Sequence, residues 1–294
     1  MWSVACIFQA FLGSNFYLPS LFGATYVQIY PSGFTIYSNY AAITIVPLIF
    51  IVFSRITLIK TDRYSVLFRI VWLMGVVSLY LTLSRAAWLG YFIGMAVFFY
   101  LAHKKKGLSF NFFRLNLISL VILSIVWIVP SKIDSYEFMG SAQARKWDWP
   151  DNSDYSANTR VITAQVAVSE VFKYPFFGLG LGHYPNYYYR NYEKFLMLNM
   201  VDPRNKINPH NGYLQLLSES GVFTFLGMLT LIIYVFVKAC RTGPSIRLYP
   251  FLGSLMAVLF WLLFHDGFSM RLFWILIGCV VSASASAINK KDML

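Results

Sequence analysis

The chain has 294 residues; 58% are hydrophobic, only 12% are charged, and the mean hydropathy is +0.59. A soluble domain carries roughly 25% charged residues, so this chain cannot cover a water-facing surface and lipid is the solvent for much of it. The net charge of +12 does not indicate nucleic acid, because most of the bases concentrate in short loops between apolar runs.

A spanning helix needs about 20 mostly apolar residues to cross about 30 Å of hydrocarbon. In chain order, apolar runs predict spans near 1–13, 34–53, 66–83, 86–102, 113–130, 220–238, 248–265 and 270–288. The first lacks the charged leader and small-residue cleavage site of a signal peptide and reads as a short helix. Residues 14–33, rich in Gly and Pro, read as a loop or re-entrant segment, and Pro47 is placed to kink the second span. Thirteen bases, from Arg55 to Lys291, fall in short loops on one side, against Arg85 and Arg271 on the other. By the positive-inside rule the basic side is cytoplasmic, and both termini lie inside. The predicted architecture is an all-α integral membrane bundle of eight spans. Its parts are N-terminal segments 1–65, a membrane domain 66–237 and a C-terminal hairpin 238–294. Cys6, Cys240 and Cys279 are far apart and form no CxxC pair, so neither a disulfide framework nor a metal framework follows.

Residues 131–211 then form one long outer loop. Its first part, through Asn158, reads as irregular. Asp148, Asp151 and Asp154 in it read as a solvated acidic stretch rather than a cation site. TRVITAQVAVSEVFKY suits an amphipathic helix, with Val161, Val168 and Val171/Phe172 on its main apolar stripe and Ile162 and Val166 on an adjoining one. The next segment turns on Gly178, Gly180 and Gly182. This is no dinucleotide fingerprint, since no strand precedes it; the glycines suit tight turns or close backbone approach. His183 follows as a further candidate. NPHNGYLQLLSESG starts a helix that continues into the sixth span.

Four positions carry the chemistry. Arg85, next to Ser84, interrupts the apolar run Ile70–Ala102, which is about 50 Å as a helix and just enough for two spans. A guanidinium at that membrane edge either snorkels as an anchor or meets a phosphate. Arg160 is placed at the start of the amphipathic helix, where free N–H groups favour anions, or it is simply solvated. His210 stands directly before a helix that Asn211 can cap. Its imidazole can accept a hydroxyl proton near neutral pH or hold a phosphate; alternatively it is a plain polar helix-start residue. His265-Asp266, near Arg271, marks the outer end of the seventh span.

Three pieces, in order, resemble the bacterial O-antigen ligase and O-antigen polymerase family. They are Leu81-Thr82-Leu83-Ser84-Arg85-Ala86-Ala87-Trp88; Arg160 with its helix and Tyr174-Pro175-Phe176-Phe177-Gly178-Leu179-Gly180; and Pro209-His210-Asn211-Gly212 through Gly221. The resemblance implies a GT-C-like helical bundle and a glycosyltransferase. Its donor would be an undecaprenyl-diphosphate-linked glycan and its acceptor a glycan or lipid hydroxyl, with transfer at the outer face of the bacterial cytoplasmic membrane. It maps catalytic roles onto Arg85, Arg160 and His210. Ser84, Asn211, Gly178, Gly180 and His183 are the expected substrate contacts. No cofactor, metal or nucleic acid is expected. The resemblance also implies more spans than the eight counted, which would precede Met1. Ligase and polymerase are not separated by these residues, and a transporter or flippase of a lipid-linked glycan is the alternative from another class.

Overall fold

A computed structural model describes residues 38–58, 64–82, 84–106, 151–191, 194, 208–241, 248–268 and 270–291. The expected spans 1–13 and 113–130, the segment 14–33, Asp148 and the rest of 131–150 lie outside the described residues. Among the described residues there are eight helices and no strand. They are α1 (Ser38–Leu58), α2 (Ser65–Leu81), α3 (Arg85–Lys106), α4 (Asp151–Lys173), α5 (Tyr184–Asn191), α6 (Gly212–Arg241), α7 (Tyr249–Trp261) and α8 (Arg271–Lys291).

Each described apolar run forms a helix, as lipid requires: every backbone polar group must be satisfied within the segment. Three stretches, Asn39–Thr57, Arg85–Ala102 and Gly212–Arg241, are long and apolar enough to cross a membrane; α2, α7 and α8 are shorter apolar helices. The chain is a helical membrane protein. α6 keeps Leu226, Leu229, Ile233 and Tyr234 exposed, the outward apolar face that lipid would cover.

Two elements differ from the sequence reading. α4 begins at Asp151, so the segment up to Asn158 is helical and Arg160 lies well inside the helix. The reason is legible afterwards: Pro150 precedes a run Asp151-Asn152-Ser153-Asp154, whose short polar and acidic side chains suit a helix start. The buried stripe of α4 is also the other one. Val161, Val168 and Phe172 are exposed, while Ile162, Thr163, Val166, Ala167 and Glu170 are buried. The second difference is α5, a short helix with Pro185 in its first turn, where a glycine-driven irregular segment was expected.

The core is set by α1, α3 and α7. Gly90 and Gly94 form a GxxxG on α3, facing Ala257 and Gly253 on α7. A side chain added at Gly94 would collide with the Gly253 carbonyl, and one at Gly90 would come within 2.6 Å of the Ala257 carbonyl. Small residues at helix contacts let backbones approach where lipid offers no hydrophobic drive to association. Phe50 of α1 closes the same junction, with its ring 5.7 Å from Tyr91 and 6.2 Å from Phe98. The pairs 94/253 and 90/257 fix an antiparallel register, which continues to place Arg85 level with Leu262.

Gly94→Leu should therefore cost about 3 kcal/mol or more by overpacking and lower the unfolding midpoint of the detergent-purified protein. Gly227→Leu, where an added Cβ meets no atom within 4 Å, should melt like the parent. Equal melting of the two variants would remove the α3–α7 contact from the centre of the fold.

Candidate functional site

α6 is two helices meeting at Gly221, whose φ of 76° and ψ of 178° are open essentially only to glycine. A break strips hydrogen bonds from the backbone, and the segment 174–183 replaces them. The Leu179 N–H donates to the Ser218 carbonyl at 3.1 Å and the Gly180 N–H to the Glu219 carbonyl at 2.8 Å. The Val222 N–H donates to the Pro175 carbonyl, also at 2.8 Å. Such contact needs bare backbone: a Cβ at Gly178, where φ is +65°, would sit 2.5 Å from the Ser220 nitrogen. The close approach expected of Gly178 and Gly180 is thus made to α6, and their N–H groups are taken by the Tyr174 and Glu219 carbonyls. His183 stands before α5, exposed, with Nδ1 3.3 Å from the Leu181 carbonyl. It directly precedes Tyr184, whose N–H meets the Glu219 carboxylate beside the break.

Arg85 is the first residue of α3. The turn before it is fixed locally. The Trp88 ring stacks on Tyr80 at 5.2 Å and its N–H donates to the Leu79 carbonyl at 2.9 Å. The Thr82 hydroxyl donates to the same carbonyl at 2.6 Å. Ser84 is buried, and its hydroxyl has no hydrogen-bond partner among the described residues. A helix N-terminus presents N–H groups and positive dipole, and here a guanidinium and a hydroxyl stand with it.

Arg160 comes to this place from α4. Loss of solvent, and then repulsion from Arg85, hold its guanidinium below the ordinary arginine range. The side chain still reaches the surface, so solvent screens part of that repulsion. Neither arginine has an acidic partner among the described residues. The two cations are brought together by the fold, and the helix start that sequence reasoning gave Arg160 belongs to Arg85 instead.

His210 adopts a left-handed backbone, φ 53°, uncommon for a residue other than glycine. Its neighbours account for the position. The Asn211 carboxamide accepts the Leu214 N–H at 3.0 Å, the expected cap. The Gly212 N–H donates to the Leu262 carbonyl at 2.8 Å, and the Tyr213 hydroxyl to the Leu259 carbonyl at 2.9 Å. Asp266 completes the mooring, accepting the Asn208 amide at 2.8 Å and the Tyr40 hydroxyl at 3.3 Å. Burial pushes the Asp266 carboxyl up, while its own backbone N–H, Tyr40 and Asn208 oppose the rise. His265 stacks on Trp261 at 4.6 Å and is buried.

Leu262 holds Gly212 and is level with Arg85, so the His210 loop and the Arg85 turn lie at the same end of the bundle. Leu214 packs on the cluster formed by Ile162, Val166, Ala167, Tyr184 and Tyr188, which joins α6 to the helix carrying Arg160. Three residues far apart in sequence thus reach one end of the molecule on three elements.

Two buried acids were missed from sequence. Glu170 and Glu219 are 0% and 6% exposed. Glu170 follows Val166 and Ala167 by one turn, so the true buried stripe would have revealed it. Glu219 lies in LSESG beside the glycine that breaks α6.

Asp266→Ala should free the Asn208 amide and leave the Tyr40 hydroxyl only the backbone carbonyl of residue 266 there. Faster amide exchange at 211–214 is expected, with a stability loss of about 1–3 kcal/mol. Unchanged exchange there would show that Asp266 does not moor the loop.

No curated protein matches the chain. A family model described as O-Antigen ligase matches residues 69–229, which include Arg85, the whole of α4 and α5, and the start of α6 with His210. Because that match covers more than half of the 294 residues, the chain belongs to the O-antigen ligase family.

Proposed function

We propose that the protein is a membrane glycosyltransferase of the ligase or repeat-unit polymerase type. It takes a glycan from an undecaprenyl-diphosphate carrier and joins it to an acceptor hydroxyl at the outer face of the bacterial cytoplasmic membrane. The observation that carries this is the pair Arg85 and Arg160, two cations drawn together at a helix start beside a buried serine hydroxyl, with no acid paired to either among the described residues. Such an arrangement is complementary to a diphosphate. The domain 66–237, with its outer loop 131–211, is read as the unit that holds both substrates. The basic ends of α3 and α6, Lys104 to Lys106 and Lys238 with Arg241, support a cytoplasmic position for the ends opposite Arg85 and His210.

The acceptor oxygen forms a bond to the anomeric carbon, the bond from that carbon to the diphosphate oxygen breaks, and the diphosphate leaves with the electron pair. Direct attack inverts the anomeric centre. Arg85, Arg160 and the first N–H groups of α3 stabilise the charge growing on the leaving group, which is electrostatic catalysis by groups already in place. Ser84 donates to a phosphate oxygen. His210 takes the acceptor proton or orients the diphosphate. The carrier diphosphate is itself the activated leaving group, so no nucleotide sugar is required.

Arg85→Ala, Arg160→Ala and His210→Ala should each reduce transfer by about 10²–10³ at unchanged protein level in the membrane. Arg85→Lys should recover only part, since an ammonium keeps the charge but loses the two-pronged geometry. The assay is purified protein in liposomes with undecaprenyl-diphosphate-linked glycan and glycan or lipid acceptors, products being read by mass spectrometry. Wild-type transfer by all three alanine variants would remove the site. Translocation without a new glycosidic bond would instead make the protein a transporter.

A further inference from the structure

Glu170 is fully buried, and among the described residues neither of its carboxyl oxygens has a hydrogen-bond partner. It lies on the face that α4 turns toward α5 and α6, one turn beyond Val166 and Ala167. Facing it from α6 is a second acid. Glu219 is buried too, and its Oε1 accepts the Tyr184 N–H at 3.3 Å. Tyr184 returns to α4 by donating its hydroxyl to the Thr163 carbonyl at 2.6 Å. The two acids therefore stand on either side of one tyrosine, at the crossing of α4 with the broken part of α6.

No cation answers them among the described residues. The nearest base along α4, Lys173, sets its ammonium over the rings of Tyr174 and Tyr187, at 5.4 and 6.0 Å. The groups facing Glu170 from α5 are the phenols of Tyr184 and Tyr188; burial drives the Tyr184 phenol upward, so it stays neutral. His183 is the imidazole on the adjoining loop. A buried ionised carboxylate with neither donor nor counter-charge is not sustained; it takes up a proton or a cation. Burial first, and the neighbouring Glu219 second, push the Glu170 carboxyl up to about 8.

We propose that Glu170 is a positioning residue: it sits in the α4–α6 contact as a neutral carboxylic acid, and its ionisation beside Glu219 drives α4 away from the break in α6, moving Arg160 relative to Arg85. The consequence for sugar transfer rests on the glycosyltransferase reading; the structural step does not. The direction follows from linkage, since the folded acid binds its proton more tightly than the unfolded one. The contact is strongest below 4.5, the ordinary value, weakens about tenfold per pH unit up to about 8, and is weakest above that. Arg160 is ten residues before Glu170 on the same helix, about 15 Å away, so Glu170 acts by tilting α4 and not by touching substrate.

The test is spin-label distance measurement on the full chain in lipid nanodiscs. Cys6, Cys240 and Cys279 are replaced by Ser, and labels are placed at Gln165→Cys on α4 and Thr224→Cys on α6, both surface positions. The distance should shift between pH 6 and pH 9.5 with a midpoint near the Glu170 value of about 8. Glu170→Gln should hold the low-pH distance throughout. Glu219→Gln, which keeps the oxygen for Tyr184 but removes the charge, should move the midpoint down. His183→Gln should titrate like the parent. A parent distance that does not change with pH, or a shift that survives in Glu170→Gln, overturns the proposal. So does a distance set by added Ca²⁺ or Mg²⁺ rather than by pH, which would make the pair a cation site. Should Glu170→Gln fail to reach the membrane, an unmoved midpoint in Glu219→Gln decides against the proposal. Transfer by Glu170→Gln should persist at pH 9, where the parent loses it. If the distances behave as expected and no variant transfers sugar at any pH, the glycosyltransferase reading fails and the positioning role stands.

Discussion

A break in a membrane-associated helix has to be filled by protein, because water is not there to satisfy the exposed backbone. α6 breaks at Gly221, and the segment between α4 and α5 fills the gap with three backbone hydrogen bonds. Much of the architecture around α4 and α5 follows from that repair. The segment must run flat against backbone, so Gly178 faces α6 with no side chain and a positive φ. The end of α4 and the start of α5 are consequently drawn to the break, and with them Glu170 and Tyr184. The aromatic residues of the segment finish the contact: Phe176 stacks on Phe223 just past the break, at 5.8 Å.

The other half of the site is placed by the close approach of α3 and α7. Gly90 and Gly94 let the two backbones meet, and their register sets Arg85 level with the end of α7. The same end, at Leu262, receives the first N–H of α6. One helix pair thus positions an arginine on one chain segment and a histidine loop on another, though 125 residues of sequence separate Arg85 from His210. Asp266 adds precision, since it ties the turn after α7 to both α1 and the 208–211 segment.

The helical membrane class was legible because it depends on composition and run length, which are one-dimensional. Arg85 and His210 stood out as candidates because a charge or an imidazole at the edge of an apolar run is conspicuous, and Arg160 because it precedes an amphipathic stretch, although the helix in fact begins at Asp151. What could not be read was which face of α4 is buried. Val161, Val168 and Phe172 are the bulkier apolar residues, and periodicity alone chose them. The structure buries the smaller stripe of Ile162, Thr163, Val166 and Ala167 instead, because Tyr184, Tyr188 and Leu214 are the surfaces available to cover it. Partners from distant sequence decide such a contest, and choosing the wrong stripe concealed Glu170. The break at Gly221 was hidden for a related reason: glycine in an apolar helix usually continues it, and only the segment that fills the gap makes a break affordable.

The charges on α4 and its neighbours are sorted in an unusual way. Arg160 is near Arg85, and Glu170 is near Glu219. A chain selected for stability alone would exchange partners and make two opposite-charge contacts. Keeping like with like weakens the fold at both places: at the acid pair because burial opposes the charged form, and less at the arginine pair, whose side chains reach solvent that screens their repulsion. Each place nevertheless has its own remedy. A guanidinium cannot be discharged by giving up its proton at any ordinary pH, so what solvent leaves of the arginine repulsion is relieved by an anion. A carboxyl can be discharged by gaining a proton, so the acid pair needs no ligand at all. The same helix therefore carries one demand that a diphosphate would meet and one that the solvent pH meets, about three turns apart. Satisfying the second holds α4 in the place from which Arg160 can satisfy the first.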